Sequence, residues 1–324
     1  MIMEKDIQTH LTLIIPHRKG DIKKTEKRDR ILHVLSLIVI YLFLSFFAFI
    51  VIFPFYYMIA ASFMTESQLT TGGFFPTDGN ILENIAFNYS HTVTNEGFPY
   101  FRLVLNTIVV GLGTTCGSLV ITILSAFAFS KLEFKGREIL FTIFLATMMI
   151  PGEMMVITNY ITMSNLDLAY ADQSQFQVYL TLILPFLCNV FYIYLLRQNF
   201  KQIPNELYLA AKVDGKSDWQ YLWKVMVPLA MPTLITIFIL QFIESWNSYV
   251  WPRTIILSNN PEFSVLSVAL RGTAFRYLDR LDQWRPMYTW QMAATVLTTV
   301  PLLILFIFFR KYIMRGIARA GIKG

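Results

Sequence analysis

Six long apolar stretches separated by polar segments set the pattern of the chain. They cover roughly residues 33–61, 103–129, 139–160, 178–196, 230–251 and 290–309. A helix needs about 20 apolar residues to cross bilayer hydrocarbon, where its backbone must satisfy its own hydrogen bonds. Each stretch therefore predicts a membrane-spanning helix, and the first is long enough to tilt or to project beyond the bilayer. The expected fold is an all-α membrane protein of six spans.

One polar segment between spans has a structure of its own. In Pro204–Pro232, PNELYLAAKVDGKSDWQYLWKVMVPLAMP, the pattern reads helix, tight turn, helix. Pro204 ends the preceding span, because proline lacks an N–H and restricts its neighbour. Ala210 and Ala211 favour helix and leave room for another surface to approach. Gly215 suits the left-handed residue that closes a helix. Ser217 and Gln220 have capping-box spacing for a second helix through Trp219 and Trp223. Pro228 and Pro232 mark the bend into the next span.

Composition agrees with the pattern. Hydrophobic residues make up 55% of the chain and charged residues 15%, with net charge +6; mean hydropathy is +0.51. A soluble domain is far less apolar. Charge also sets orientation. The N-terminus, Ser130–Glu138, Arg197–Lys224 and the C-terminus carry 8, 3, 5 and 5 of the 27 Lys and Arg. The three loops on the opposite side carry 1, 0 and 5. The positive-inside rule then places both termini and the hairpin in the cytoplasm. No soluble basic face points to nucleic acid.

Other chemistry is sparse. The first 30 residues lack the apolar core and cleavage site of a signal peptide, and read as a flexible lead-in or a surface helix. Cys116 and Cys188 fall inside spans and suggest neither a disulfide framework nor zinc. His10, His17, His33 and His91 form no catalytic group. Gly215-Lys216-Ser217 looks like the end of a phosphate-binding loop, but Ala210 stands where that loop needs glycine, and a strand should precede it. ATP binding by this chain is not expected.

The hairpin resembles the EAA motif of binding-protein-dependent ABC importer permeases. Ala210, Ala211, Asp214, Gly215 and Pro228 match, as do Ile203, Pro204, Glu206 and Leu207. Leu209 stands where the motif has Glu. The likeness extends to Ser130–Arg137 (SKLEFKGR), Phe242–Pro252 (FIESWNSYVWP) and Phe309–Gly324 (FRKYIMRGIARAGIKG), and covers about residues 31–324. These segments are similar to the carbohydrate-uptake branch, the second permease of maltose-type importers, and to oligo- and polysaccharide importers including those for alginate.

The resemblance implies a type I ABC importer permease fold with a cytoplasmic coupling-helix hairpin. It implies a segment 1–30, a first span with its outer loop at 31–102, a core transmembrane domain at 103–309 and a tail at 310–324. Contact with the ATPase falls to Glu206, Leu209, Ala210, Ala211, Asp214 and Gly215. The partners implied are a second, homologous permease, two ABC ATPase subunits that bind the ATP and Mg, and a periplasmic solute-binding protein. This chain needs no cofactor of its own and catalyses nothing; it sits in a bacterial inner membrane.

Two regions stand out for a saccharide. Glu244, Trp246, Asn247, Tyr249 and Trp251 mix aromatic faces that stack on sugars with groups that bond hydroxyls. Phe242, Trp246 and Tyr249 would share one helical face at i, i+4, i+7. The same face also fits an aromatic belt and helix packing. Glu153 and Glu244 are expensive in an apolar region unless paired or wet, and are expected at the interior or an aqueous vestibule. Gly113-x-x-x-Gly117 allows close helix contact, most simply within this subunit.

In the loop 252–289, Arg253 with Leu257, Ser258, Asn259 and Asn260 is the expected contact to the binding protein, by resemblance. Its arginines, Arg253, Arg271, Arg276, Arg280 and Arg285, suit an acidic binding protein, an acidic saccharide or local pairing of Arg280 with Asp279 or Asp282. An ion-gradient-driven secondary transporter is the alternative. It would favour acidic relays and inverted repeats, neither of which is evident. A receptor without transport would carry a soluble signalling domain.

Overall fold

The computed structural model describes residues 19–77, 79–169, 174–256, 263–272, 274–278 and 283–321. Residues through Tyr57 form one compact unit and those from Met58 onward another. The first unit is helix throughout its described part. This helix, α1 (Lys19–Ser62), starts well before the predicted span, so residues 19–30 are helical rather than a flexible lead-in. Within its apolar stretch rings meet along the helix, Phe43 with Phe47 at 4.7 Å and Phe49 with Phe53 at 5.4 Å.

In the second unit, α2 (Ile81–Thr94) is followed by the long α3 (Tyr100–Ser130). The next two elements, α4 (Arg137–Thr147) and α5 (Val156–Asn165), are joined through a turn at Gly152–Met155 and bent by 89°. Likewise α6 (Gln175–Ile183) and α7 (Val190–Lys201) meet at 54° around Leu184–Phe186. Then comes α8 (Asn205–Val213). A segment from Asp218 to Leu229 leads, at 77°, into α9 (Met231–Asn247) and α10 (Val250–Ile255). The last helix is α11 (Tyr288–Gly321).

Three helices, Arg30–Ser62, Tyr100–Ser130 and Tyr288–Lys311, are long and apolar enough to cross a membrane unbroken, and each bent pair brings the number to as many as six. The predicted six stretches are all helical, but three are broken rather than continuous. Each break has a local cause. Pro151 and Gly152 interrupt the third stretch, Pro185 the fourth, and Pro232 follows the bend at Ala230 in the fifth. A proline inside a helix removes one bond and collides with the carbonyl one turn back.

The described residues are otherwise mainly helical, as expected, with one short antiparallel ribbon among them. Arg276–Leu278 pairs with Trp284–Pro286, Tyr277 facing Arg285. The positions of Asp279, Arg280 and Asp282 lie outside the described residues.

The core of the second unit is built around α3, which packs on α7 and α9. Close approach is supplied by glycine. A Cβ at Gly113 would lie 2.6 Å from Ile183, and one at Gly117 2.6 Å from Leu187. The predicted small-residue pair therefore packs within the chain, against the α6–α7 bend. At the other end Arg197 is buried. Its Nε donates to the Phe129 carbonyl at 2.9 Å, its Nη2 reaches Glu138 at 2.7 Å, and its guanidinium covers the Phe141 ring at 3.8 Å. These contacts bind the end of α3 to α4 and α7.

Candidate functional site

Two places concentrate the residues singled out by sequence: a cavity between α3, α5, α9 and α10, and the hairpin after α7.

The cavity encloses about 460 Å³. Its walls come from Thr107, Val110 and Thr114 on α3, Glu153 at the α4–α5 break, and Gln241, Glu244 and Asn247 on α9. Tyr249, Trp251 and Arg271 complete it. The break between α9 and α10 shapes this wall. Ser248 is extended, at φ −58° and ψ 127°, so the helical path stops at Asn247. The Ser267 hydroxyl donates to the Ser248 carbonyl and satisfies the acceptor that the break releases.

That break separates the aromatics. The predicted common face of Phe242, Trp246 and Tyr249 does not form, because Tyr249 follows the interruption. Phe242 and Trp246 are buried, 7% and 3% exposed, among Phe98, Leu103 and Leu266. Trp246 is not among the cavity residues; it packs. Tyr249 and Trp251 turn to a different cluster with Val110, Leu182 and Val265, and both line the cavity. Trp251 is held by its indole N–H, which donates to the Thr181 carbonyl at 3.1 Å.

Charged side chains reach the same wall. Glu244 and Glu153 both line the cavity, and Glu244 accepts a bond from the Tyr192 hydroxyl at 3.0 Å. The Arg271 guanidinium lies 4.3 Å from the centre of the Tyr249 ring, a cation–π contact. Aromatic faces, hydroxyls, amides and carboxylates thus meet around one space. The chemistry of such a wall matches that of a ligand with apolar ring faces and many hydroxyls.

Among its polar residues, Thr107, Thr114 and Gln241 were not singled out by sequence, nor was Tyr192, which bonds Glu244 from outside the lining. Gln241 could have been flagged as an amide deep in an apolar stretch. A second such amide, Asn106, lies buried beside the cavity. It accepts from Tyr179 at 2.6 Å and donates to the Ser264 carbonyl at 2.8 Å.

In the hairpin the predicted turn chemistry is present. Helix α8 ends at Asp214, and Gly215 has φ +72°. Gly215 N–H donates to Lys212 O at 3.0 Å and Lys216 N–H to Ala211 O at 2.9 Å, the paired bonds of a Schellman end. Ser217 and Gln220 form the reciprocal capping box. Lys212 and Tyr208 both bond Asp218 Oδ1, at 2.8 and 2.7 Å, and clamp the two helices together.

The two alanines have different tasks. Ala211 is buried beside Phe200 and Tyr221, so its small size lets α8 seat on its own core. Ala210 is exposed, with Glu206 and Asp214. Leu209 and Val213 stand out at 62% and 88% exposed, an apolar ridge one helical turn apart.

The hairpin is tied to α3 by Lys131, whose ammonium donates to Ile203 O at 2.9 Å and Asn205 Oδ1 at 2.8 Å. Burial lowers the Lys131 pKa from its ordinary value, and the Glu206 charge partly offsets this.

Arg253 is exposed on α10. Leu257, Ser258, Asn259 and Asn260, expected beside it as the binding-protein contact, lie outside the described residues.

Comparison with known proteins covers both places. The profile of a family described as binding-protein-dependent transport system inner membrane component matches residues 118–319. An arabinooligosaccharides transport system permease protein of Halalkalibacterium halodurans is 29% identical over 283 residues, 86% of this chain and 94% of that protein. An sn-glycerol-3-phosphate transport system permease protein of Yersinia pestis is 26% identical, over 83% of this chain and 91% of its own. A chain from a crystal structure of a bacterial ABC transporter involved in the import of the acidic polysaccharide alginate superimposes with a TM-score of 0.71 at 27% identity. The match spans 88% of this chain and 97% of that one.

Proposed function

Since the chain belongs to the binding-protein-dependent transport system inner membrane components, we propose that it lines half of an ABC importer's path for an oligo- or polysaccharide. A second permease subunit forms the other half, and two ATPase subunits supply the energy. A solute-binding protein delivers the saccharide from the periplasm. Both termini and the hairpin face the cytoplasm, in line with 21 of 27 Lys and Arg on that side.

The observation that carries the saccharide reading is the cavity. Tyr249 and Trp251 bring ring faces to the same wall as Glu244, Asn247 and Gln241. That pairing fits a sugar, whose ring faces are apolar and whose edge is hydroxyl. The saccharide-transporting relatives add support of their own.

The hairpin is the coupling element. Glu206, Leu209, Ala210, Asp214 and Gly215 form the face offered to the ATPase, while Ala211 seats that face on the permease core. With Leu209 in place of an acid, contact at that position is apolar, and Glu206 and Asp214 are the charges left to pair. ATP-driven closure of the ATPases moves α8. Lys131 and the Arg197–Glu138 contact pass the movement to α3, α4 and α7, and the cavity opens to alternate sides.

Reconstitution with the partner subunits tests the reading. Tyr249→Ala should lower saccharide uptake several-fold while the complex assembles normally, since an aromatic contact is worth about 1 kcal/mol. Trp246→Ala should instead lower the yield of assembled complex, because it empties a core site at a cost of about 3–5 kcal/mol. Unchanged uptake by Tyr249→Ala in an assembled complex would remove that ring from the path.

A further inference from the structure

We infer that the path through this chain continues from the cavity along a row of buried hydroxyls on α3, closed in this structure and wetted when the path opens inward; this rests on the permease reading above. The row is Thr114, Ser118 and Thr122, spaced i, i+4, i+8 on one helical face, with Thr115 beside it. All four residues are 3% exposed or less. None of their hydroxyls has a hydrogen-bond partner among the described residues.

Nearby hydroxyls behave differently. Thr107 on the same helix donates to the Leu103 carbonyl at 2.7 Å, and Thr236 on α9 to the Pro232 carbonyl at 2.9 Å. Back-bonding of this kind is the ordinary way for a helical Thr to be satisfied. The row on α3 lacks it, although alanine or valine there would pack without burying a bare polar atom.

Two observations give the row a direction. Thr114 is also a wall residue of the cavity, as is Gln241, whose Oε1 is likewise buried without a partner. Gly111, one turn before Thr114, faces Phe242, because a Cβ there would lie 2.9 Å from its ring. The row therefore faces α9 and leads away from the cavity. At 1.5 Å per residue, Thr122 lies about 12 Å from Thr114 along the axis, toward Lys131 and the hairpin.

A seam of hydroxyls is of use only where water or a hydroxyl-bearing ligand reaches it in another state. The row carries donors and acceptors and no charge. It suits the hydroxyls of a sugar chain sliding past with its water. When α3 and α9 part, the bare groups gain partners, which lowers the free energy of the open state relative to an apolar seam.

The test uses the full complex in inside-out vesicles, with Cys116→Ser and Cys188→Ser removing the native thiols. Ser118→Cys, Thr122→Cys and, in the cavity, Asn247→Cys are made one at a time. A charged, membrane-impermeant maleimide is added without nucleotide and after trapping with ATP and vanadate. An arabino-oligosaccharide and an alginate oligosaccharide are supplied separately. The expected result is that Ser118→Cys and Thr122→Cys react several-fold faster without nucleotide than after trapping, and that a saccharide slows them; faster reaction after trapping overturns the inward wetting.

Silence of both in every condition, while Asn247→Cys reacts and is protected by a saccharide, overturns the row alone. Equal reaction in all conditions also overturns it, as a fixed crevice. An Asn247→Cys that reacts but is protected by neither saccharide overturns the saccharide reading as well. Ser118→Val, which keeps the packing, should lower uptake in an assembled complex; unaltered uptake counts against the row.

Discussion

At the scale of single residues, the hairpin depends most on Gly215. Its φ of +72° lies in the region that a β-branched residue strongly disfavours, and no atom lies within 4 Å of where its Cβ would be. The penalty of Gly215→Val is thus one of backbone strain, about 1–2 kcal/mol, without a steric clash. The helix end would shift to relieve it and misplace Leu209 and Val213. The expected outcome is a permease that folds but retains less ATPase on co-purification and loses uptake. Wild-type ATPase retention and uptake would show that the hairpin tolerates a different turn. Gly215 and the Ser217–Gln220 box were legible because turn and cap chemistry is local, written within four residues. The Lys131 contact to Ile203 and Asn205 was not, nor was Arg197 to Phe129 and Glu138. Those pairs lie 59 to 74 residues apart in the chain, and no spacing rule relates them.

At the scale of elements, apolar periodicity gave the helices but not their continuity. Proline alone does not mark the breaks, since Pro54 and Pro301 sit inside unbroken helices while Pro151, Pro185 and Pro232 lie at or near bends. A proline in the sequence does not by itself fix whether the helix resumes on the same axis beyond it. The lost common face of Phe242, Trp246 and Tyr249 has the same origin. Helical spacing assumed eight uninterrupted positions, and Ser248 leaves the helix before the last of them. The glycine pair was read correctly because a missing side chain has one simple consequence, close approach. It also supports a sharp prediction. Gly113→Leu or Gly117→Leu should force α3 away from the α6–α7 bend, since even a Cβ would fall 2.6 Å from Ile183 or Leu187. Overpacking of this kind costs about 1–3 kcal/mol. Alanine should be milder, because both contacting atoms are ends of flexible side chains. A thermal melt in detergent orders the three: wild type above the alanine variants, and these above the leucine variants. Equal midpoints would mean that the helices are not held where Gly113 and Gly117 place them.

At the scale of the whole molecule, the charge asymmetry is the ground for the orientation we propose. The loops assigned outside carry 6 of the 27 Lys and Arg, 5 of them between residues 252 and 289. Those five oppose the rule where they stand, but they follow α9 and α10, late in the chain. By then the charges of the N-terminus, Ser130–Glu138 and the hairpin have acted on the earlier spans. Positive charge near the ends of short loops is what the rule weighs, and the first spans dominate. Six crossings also require the two ends to lie on one side. The broken pairs put that count at risk, because a stretch bent by 77° or 89° is able to turn back rather than cross. A reporter active only in the cytoplasm, fused after Gly324, should therefore be active, and the same reporter inserted after Thr77 should be silent. A third insertion, after Gly215, reads the middle of the chain and should be active with the first. If Gly324 and Gly215 report opposite sides, the bent pair between them, Asp218–Leu229 with Met231–Ile255, is a re-entrant loop. The cavity wall at Ser248 would then have to be rebuilt around a segment that never reaches the far surface.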